Sequence, residues 1–219
     1  MKYLPLPATL LLLLSHGLSV FSRPVTCRSR SVASTRVSPW RPGSSTARQS
    51  RMLRMFSTGE PAMRIGHGWD IHRLEDGLTL TIGGVVIPFE KGTVAHSDGD
   101  VLYHSLTDAI LGAIGMPDIG QLFPDNDPQW KGAASHQFMT EAYRLMKERG
   151  YQIGNVDVTL ILQKPKVKDI KPEMKENIVK LLNTDASRVN IKARTHENVD
   201  SVGEVRALAC HSVVLLEKA

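Results

Sequence analysis

An aspartate and two histidines set the chemical question. Asp70 and His72 lie two positions apart in "GHGWDIHRL", residues 66–74. In an extended chain residues i and i+2 point to the same side, so this carboxylate and imidazole converge. His104, on the polar side of a later helical pattern, completes an Asp/His/His set if that helix crosses the strand. Three nitrogen or oxygen ligands leave a fourth tetrahedral position open, the pattern of a catalytic rather than a structural zinc. Taken singly, each histidine is equally a hydrogen-bonded core or surface residue, and Asp-x-His recurs by chance. The spacing alone leaves both readings standing.

Two further stretches carry candidate chemistry. "AHSDGD", residues 95–100, opens a helical pattern whose first amides are a ready site for phosphate, with His96 beside them; Asp98 and Asp100 could instead serve the helix dipole. "MPDIGQLFPDNDPQWKG", residues 116–132, is a Gly/Pro/Asp-rich loop whose Asp118, Asp125 and Asp127 could grip sugar hydroxyls or merely connect helices. No Ser/His/Asp triad pattern accompanies them.

These residues need elements to hold them. "MRIGH" reads as a first strand, and "LTLTIGGVVIPFE" as a hairpin turning at Gly83-Gly84, with Pro88 keeping its second arm near an edge. Between Ser97 and Gly115 the residues Leu102, Leu106, Ala109, Ile110 and Ala113 recur at helical spacing, leaving Asp100, His104 and Asp108 on another face. Ser97 is the expected cap, with Asp100 at the third helical position. A second helix is expected from Ser135 to Arg149, with Phe138, Met139, Ala142, Leu145 and Met146 inward and Gly150 as its stop. "VDVTLIL" reads as a strand and "KPEMKENIVKLLN" as a third helix entered through Pro172. "VNIKART" and "ALACHSVVLLE" read as further strands. The class is α/β (α+β): one domain with a mixed sheet and helices packed mainly on one face.

Composition separates a leader from this domain. The chain has 219 residues and a net charge of +5, yet nine basic residues and one acidic residue fall within residues 1–62. Of the chain's 27 basic and 22 acidic residues, 18 and 21 therefore remain beyond residue 62, a net of −3, which gives no support to nucleic-acid binding by the folded part. Residues 1–22 carry a basic residue, an apolar run and small residues, the pattern of a secretory signal peptide. Residues 23–62 are rich in Arg and Ser/Thr and almost free of acid, as transit peptides are. Together they predict delivery to a plastid bounded by more than two membranes; a disordered basic tail or a mitochondrial presequence is the alternative. No membrane segment is expected in residues 63–219. Of the two cysteines, Cys27 lies in the leader and Cys210 in an apolar strand pattern, so the mature chain has no disulfide and no cysteine metal site.

The ordered segments "RIGHGWDIH", "IGGVVIPFEKG", "AHSDGDVLYHSLTDAILGA", "DIGQLFPD", "GNVDVTLILQKPK" and "ARTHENVDSVGE" resemble the 2-C-methyl-D-erythritol 2,4-cyclodiphosphate synthase family across nearly all of residues 63–217. The resemblance implies Zn2+ held by Asp70, His72 and His104. It implies His96 and Ser97 on a terminal phosphate, and Asp118, Gly120, Phe123, Asp125 and Asp127 around the sugar. The segment with Lys164 and Lys166 would cradle cytosine. Arg194 and Thr195 would sit at the diphosphate, with Glu197 holding Mg2+ or Mn2+ there. His96 and Thr195 would be the catalytic pair, and Asp70 and His72 would also meet substrate. It further implies a homotrimer with active sites between subunits and a cytidine diphosphate substrate whose own 2-phosphate attacks the β-phosphorus, expelling CMP. "RTHE" follows the plant plastid form of the family. Two other readings use the same inventory: a zinc-dependent nucleotide pyrophosphatase, and a trimeric scaffold that binds an isoprenoid diphosphate without turnover.

Overall fold

The computed structural model describes residues 59–219. The leader readings for residues 1–22 and most of 23–62 lie outside them.

The first strand, β1, runs Met63–Asp76, well past the "MRIGH" that announced it. The "GG" hairpin is present as β2 (Leu80–Ile82) and β3 (Val85–Ile87), paired with each other in a small sheet of their own. Glycine is needed at that turn because both residues take positive φ, 60° at Gly83 and 73° at Gly84. β4 (Lys91–Val94) follows, then helix α1 (Val101–Ala113) and the short helix α2 (Ile119–Leu122). Helix α3 (His136–Glu148), β5 (Tyr151–Ile161), helix α4 (Lys171–Leu181), β6 (Val189–Arg194) and β7 (Ala207–Lys218) complete the chain.

Five strands form one mixed sheet in the order β4-β1-β7-β5-β6. β1 pairs antiparallel with β4 and β7, β5 antiparallel with β7, and β5 parallel with β6. The parallel step requires a crossover, and α4 supplies it. The core lies between the sheet and the helices: Leu102, Leu106 and Ile110 of α1, Met139 and Met146 of α3 and Met174 and Ile178 of α4 meet Val156, Val158, Leu160, Val214 and Leu216 of the sheet.

Alternation along β1 sets where α1 can lie. Gly66, Gly68, Asp70 and His72 share one face. A Cβ at Gly66 would come within 1.8 Å of the Ala109 carbonyl oxygen, and one at Gly68 within 1.8 Å of the Ser105 oxygen. Only glycine admits a helix backbone this close. The helix therefore runs down onto β1, and one turn beyond the glycines His104 faces Asp70 and His72.

The start of α1 corrects the sequence reading. Its N-cap is Asp100, not Ser97, and residues 97–99 are outside the helix. Asp100 is fully buried and accepts from the amides of Leu102 and Tyr103, and from Gly83 and Gly84 of the hairpin. Those first-turn amides are thereby spent, so the helix terminus proposed as a phosphate cradle is already occupied by the chain's own carboxylate. Residues 60–62, assigned by composition to the leader, are tied to the domain: Glu60 pairs with Arg64 at 2.5 Å, Tyr151 donates to the Pro61 carbonyl at 2.7 Å, and Lys218 N donates to the Ala62 oxygen at 2.9 Å.

Candidate active site and metal centre

Asp70 and His72 leave β1 on its helix side, and His104 comes down from the first turn of α1 to meet them. His72 Nε2 lies 2.9 Å from Asp70 Oδ2, His104 Nδ1 lies 3.0 Å from the same oxygen, and the two imidazole nitrogens are 3.0 Å apart. The triangle of donors is half-buried at each corner. A tetrahedral zinc with bonds near 2.0–2.1 Å has ligand–ligand edges of roughly 3.3 Å, so the set needs only a slight expansion to take the ion, with the fourth position facing outward.

The outer nitrogens test that fit. His72 Nδ1 lies 3.3 Å from the Val94 carbonyl, an oxygen that can only accept, so this nitrogen carries a proton and Nε2 is the nitrogen turned to Asp70 and the shared centre. A backbone carbonyl behind a metal-binding imidazole is the usual arrangement. In the protein alone, burial opposes charge on Asp70, but hydrogen bonds from His104 and His72 and their charges outweigh it and hold the carboxyl well below the usual range. At His72 burial pulls the pKa down, yet the hydrogen bond and charge of Asp70 prevail and raise it. Both shifts express one demand of the cluster: its lone pairs and carboxylate call for positive charge at their centre.

The triangle opens into a cavity of about 250 Å³ lined by His72, His96, Ser97, His104, Gly120, Phe123, Asp125, Trp130 and Phe138 among others. His96 is exposed at its rim and Ser97 half-buried. Ser97 Oγ lies 3.1 Å from His104 Nε2 rather than at a helix cap. Phe123, Trp130 and Phe138 stack into one aromatic wall, with centroids 4.7 to 5.7 Å apart. Of the three loop carboxylates, only Asp125 lines the cavity. Asp118 caps α2 through Gln121 N at 2.9 Å, and Asp127 caps a 3-10 turn through Gln129 N at 2.9 Å. Asp108, raised in pKa by burial, accepts from Ile119 N at 2.7 Å and so pins α2, with Gly120, to the flank of α1.

The remaining candidates gather elsewhere. Lys166, Arg194 and Thr195 line a second cavity of about 240 Å³ with Pro165, Val167, Lys168 and Lys171. Lys164 is not in its lining; it precedes Pro165 across a cis peptide bond. Thr195 donates to Glu197 Oε1 at 2.5 Å, and Glu197 itself is held at a positive φ of 51°. Three strand spacings separate β1 from β6, roughly 14 Å, with β7 and β5 between them. Within one chain the two cavities thus stand toward opposite edges of the sheet.

The aromatic wall and two residues behind His104 went unread in the sequence. Phe138 was placed as a core residue of its helix, and it is buried, but its ring also lies 5.9 Å from that of His104. Trp130 had a signal in the aromatics that flank "FPDNDPQW". Ser135 and Asp98 had none beyond their potential as caps. Among the described residues no helix is long and apolar enough to cross a membrane.

Known proteins resemble this chain in sequence and in fold. The YgbB family model matches residues 63–217. A chloroplastic 2-C-methyl-D-erythritol 2,4-cyclodiphosphate synthase of Arabidopsis thaliana is 50% identical over 94% of this chain and 96% of its own length. Among solved structures, the bifunctional IspDF of Campylobacter jejuni superposes with a TM-score of 0.69 at 42% identity; the match covers 72% of this chain but only 42% of that longer one. IspF of Plasmodium falciparum, solved as a CDP complex, gives a TM-score of 0.65 at 40% identity, covering 73% of this chain and 99% of that one. On the family model and on these identities, the chain belongs to the YgbB family of 2-C-methyl-D-erythritol 2,4-cyclodiphosphate synthases.

Proposed function

We propose that this chain converts 4-diphosphocytidyl-2-C-methyl-D-erythritol 2-phosphate to 2-C-methyl-D-erythritol 2,4-cyclodiphosphate and CMP, in the non-mevalonate route to isoprenoids. The observation that carries the reading is the Asp70/His72/His104 triangle, opening into a cavity with His96, Ser97 and Asp125 at hand. The nucleophile is the substrate's own 2-phosphate, whose second pKa near 6 leaves it largely dianionic at neutral pH. A strong general base is unnecessary, in keeping with a site built of positioning groups. When bound, Zn2+ at Asp70, His72 and His104 supplies charge neutralisation for the β-phosphate, and Mg2+ or Mn2+ at Glu197 does so for the diphosphate. His96 and Ser97 hold the terminal phosphate at the rim. Gly120, Phe123 and Asp125 receive the sugar, while Asp118 and Asp127 shape the loop that carries them. The Phe123/Trp130/Phe138 wall keeps water from the reacting phosphorus. Lys166 with Lys164 and its neighbours cradles cytosine, and Arg194 and Thr195 steady the diphosphate.

The working unit is a homotrimer. Ile65, 71% exposed, and Trp69, 51% exposed, stand with Met63, Ile71 and Val213 on the sheet face away from the helices. A face this apolar is what association covers. Bringing copies together at that face lets the metal end of one meet the Lys166/Arg194 end of the next, which a single chain holds at opposite edges. The leader, residues 1–22 and 23–62, directs the chain to a plastid, by way of a signal and then a transit segment. A fluorescent fusion of residues 1–62 checks this by its destination.

Incubation of the mature chain with the diphosphocytidyl substrate, Zn2+ and Mg2+, followed by phosphorus NMR, tests the reaction. Equal amounts of CMP and the cyclic diphosphate are expected. A linear phosphate beside CMP makes the protein a pyrophosphatase, and stable binding without product makes it a scaffold.

A further inference from the structure

We propose that Ser135, locked by Asp98, is a positioning residue that fixes the tautomer and ring orientation of His104, and so builds one corner of the metal centre from the neighbouring helix. The proposal rests on the reading that Asp70, His72 and His104 hold a divalent cation.

Ser135 occupies the N-cap position of α3, where a serine ordinarily turns its hydroxyl onto the first amides of its helix, but here it makes no such bond. The side chain is fully buried, and its Oγ lies 2.8 Å from His104 Nε2 while donating to Asp98 Oδ1. The other Asp98 oxygen accepts from Ser135 N at 3.1 Å, so one carboxylate grips both the amide and the hydroxyl of this serine. Asp98 is itself fastened across the same gap: its amide donates to the Ala133 carbonyl at 3.0 Å, and Gly132 N donates to the His96 carbonyl at 2.8 Å.

Proton counting gives the arrangement its meaning. A hydroxyl has a single proton, and here a carboxylate, which only accepts, takes it. Toward His104 the Ser135 oxygen can then only accept, so Nε2 bears a ring proton, and Nδ1 is the nitrogen left to give its lone pair to a cation. Nδ1 is the atom that lies 3.0 Å from Asp70 Oδ2 and 3.0 Å from His72 Nε2. Ser97 Oγ, 3.1 Å from the same Nε2, is placed as a second acceptor. The relay thus does for His104 what the Val94 carbonyl does for His72: each imidazole is anchored from behind by an acceptor and turns its other nitrogen to the shared centre. A residue spent in this way at a helix cap is explained by the corner it builds rather than by the helix it begins.

Two variants of the full chain test the assignment, with Zn2+ alone as the probe. Ser135→Ala removes the acceptor, and Asp98→Asn frees the serine proton to point at Nε2. Each is expected to weaken zinc binding by roughly 10- to 100-fold in competition with a chromophoric chelator. Ser135→Thr, which keeps the hydroxyl, is expected to retain most of the affinity. Long-range proton–nitrogen NMR of the metal-free chain should find His104 Nε2 fully protonated in the wild type and only partly so in both variants, a readout that a purely structural role for Ser135 would leave unmoved. Wild-type zinc affinity with unchanged protonation of His104 Nε2 in Ser135→Ala or Asp98→Asn overturns the proposal. His104→Ala serves as the control: if it binds zinc as tightly as the wild type, the metal reading itself falls, an outcome distinct from failure of the relay.

Discussion

The two faces of β1 obey different rules. On one, Gly66, Gly68, Asp70 and His72 succeed each other every second residue: the glycines let the backbone of α1 come down, and the next two side chains use that closeness to meet His104. On the other, Met63, Ile65, His67, Trp69 and Ile71 face away from the described helices, and four of these five are large exposed apolar residues. The inner face is specified by contacts inside one chain. The outer face has no such contacts with the described helices. A strand buried on both faces would read as a continuous apolar run, and one with a solvent face would place polar residues there; β1 does neither.

Chemistry should respond most strongly to the inner face. His104→Ala leaves two ligands, removing charge stabilisation worth several kcal/mol, so turnover should drop by orders of magnitude. The fold should survive, because the Leu102/Leu106/Ile110 stripe is untouched. Metal analysis, a thermal melt and the CMP assay on one variant check this. A zinc-replete, active His104→Ala protein would remove the metal centre from the account.

Next in size is the glycine pair. Gly68→Ala drives a methyl group to within 1.8 Å of the Ser105 carbonyl oxygen, a clash with helix backbone that no rotamer relieves. A loss of about 3 kcal/mol or more in urea denaturation is expected, along with zinc affinity, since α1 must lift away from β1. The same experiment on Ile65→Ala should change the stability of the dissociated chain by well under half as much, because Ile65 is largely exposed in it. Equal losses would erase the distinction between the faces.

How much of this could be read from the sequence follows the same division. The longer strands and helices are legible because each has a strong local period, with β1, β5 and β7 running longer than their apolar cores suggest; the short β4 and α2 have too few residues to show a period. Asp70, His72 and His104 were legible because the i, i+2 spacing and the polar stripe of a helix are also local. The cap of α1 was misplaced because Ser97, Asp98 and Asp100 are all capping residues. The choice among them is made by hairpin amides at Gly83 and Gly84, far away in sequence. The Ser135–Asp98 relay was invisible for the same reason: its halves lie 37 residues apart, and each has an ordinary local use. Gly66 and Gly68 carry no local sign of the helix backbone that needs them.

The outer face gives a third, smaller effect. Trp69→Glu places a carboxylate at the middle of the apolar surface, and a buried aromatic anchor of an interface is worth about 2 kcal/mol or more. Light scattering should show the mass falling from three chains toward one, with the melt of the dissociated domain little altered. An unchanged mass would move the interface to another surface.

The smallest effect sharpens the comparison within that face. His67 Nε2 and His211 Nδ1 lie 3.2 Å apart, with Trp69 against the His211 ring. Across from His211 stands Thr159 on β5, and the carboxylate on that side of β5, Asp157, is engaged by Lys192 and Asn190. Burial, and then the charge of His67, lower the His211 pKa. A histidine whose folded pKa lies below its unfolded value, near 6.5, binds a proton less well when folded. Its contribution is therefore intact above pH 6.5 and is lost as the pH falls through the folded value. In the isolated chain the pair is largely solvated and the loss is slight; under a covering partner both rings are dry and the same protonation opposes assembly. Light scattering between pH 8 and pH 5.5 should thus show association weakening by roughly a few-fold as the pH drops below 6.5. His211→Gln should flatten that dependence while leaving zinc affinity, on the other face of the sheet, where it was. An assembly in which His211→Gln keeps the full pH dependence would show that the histidine pair lies outside the interface.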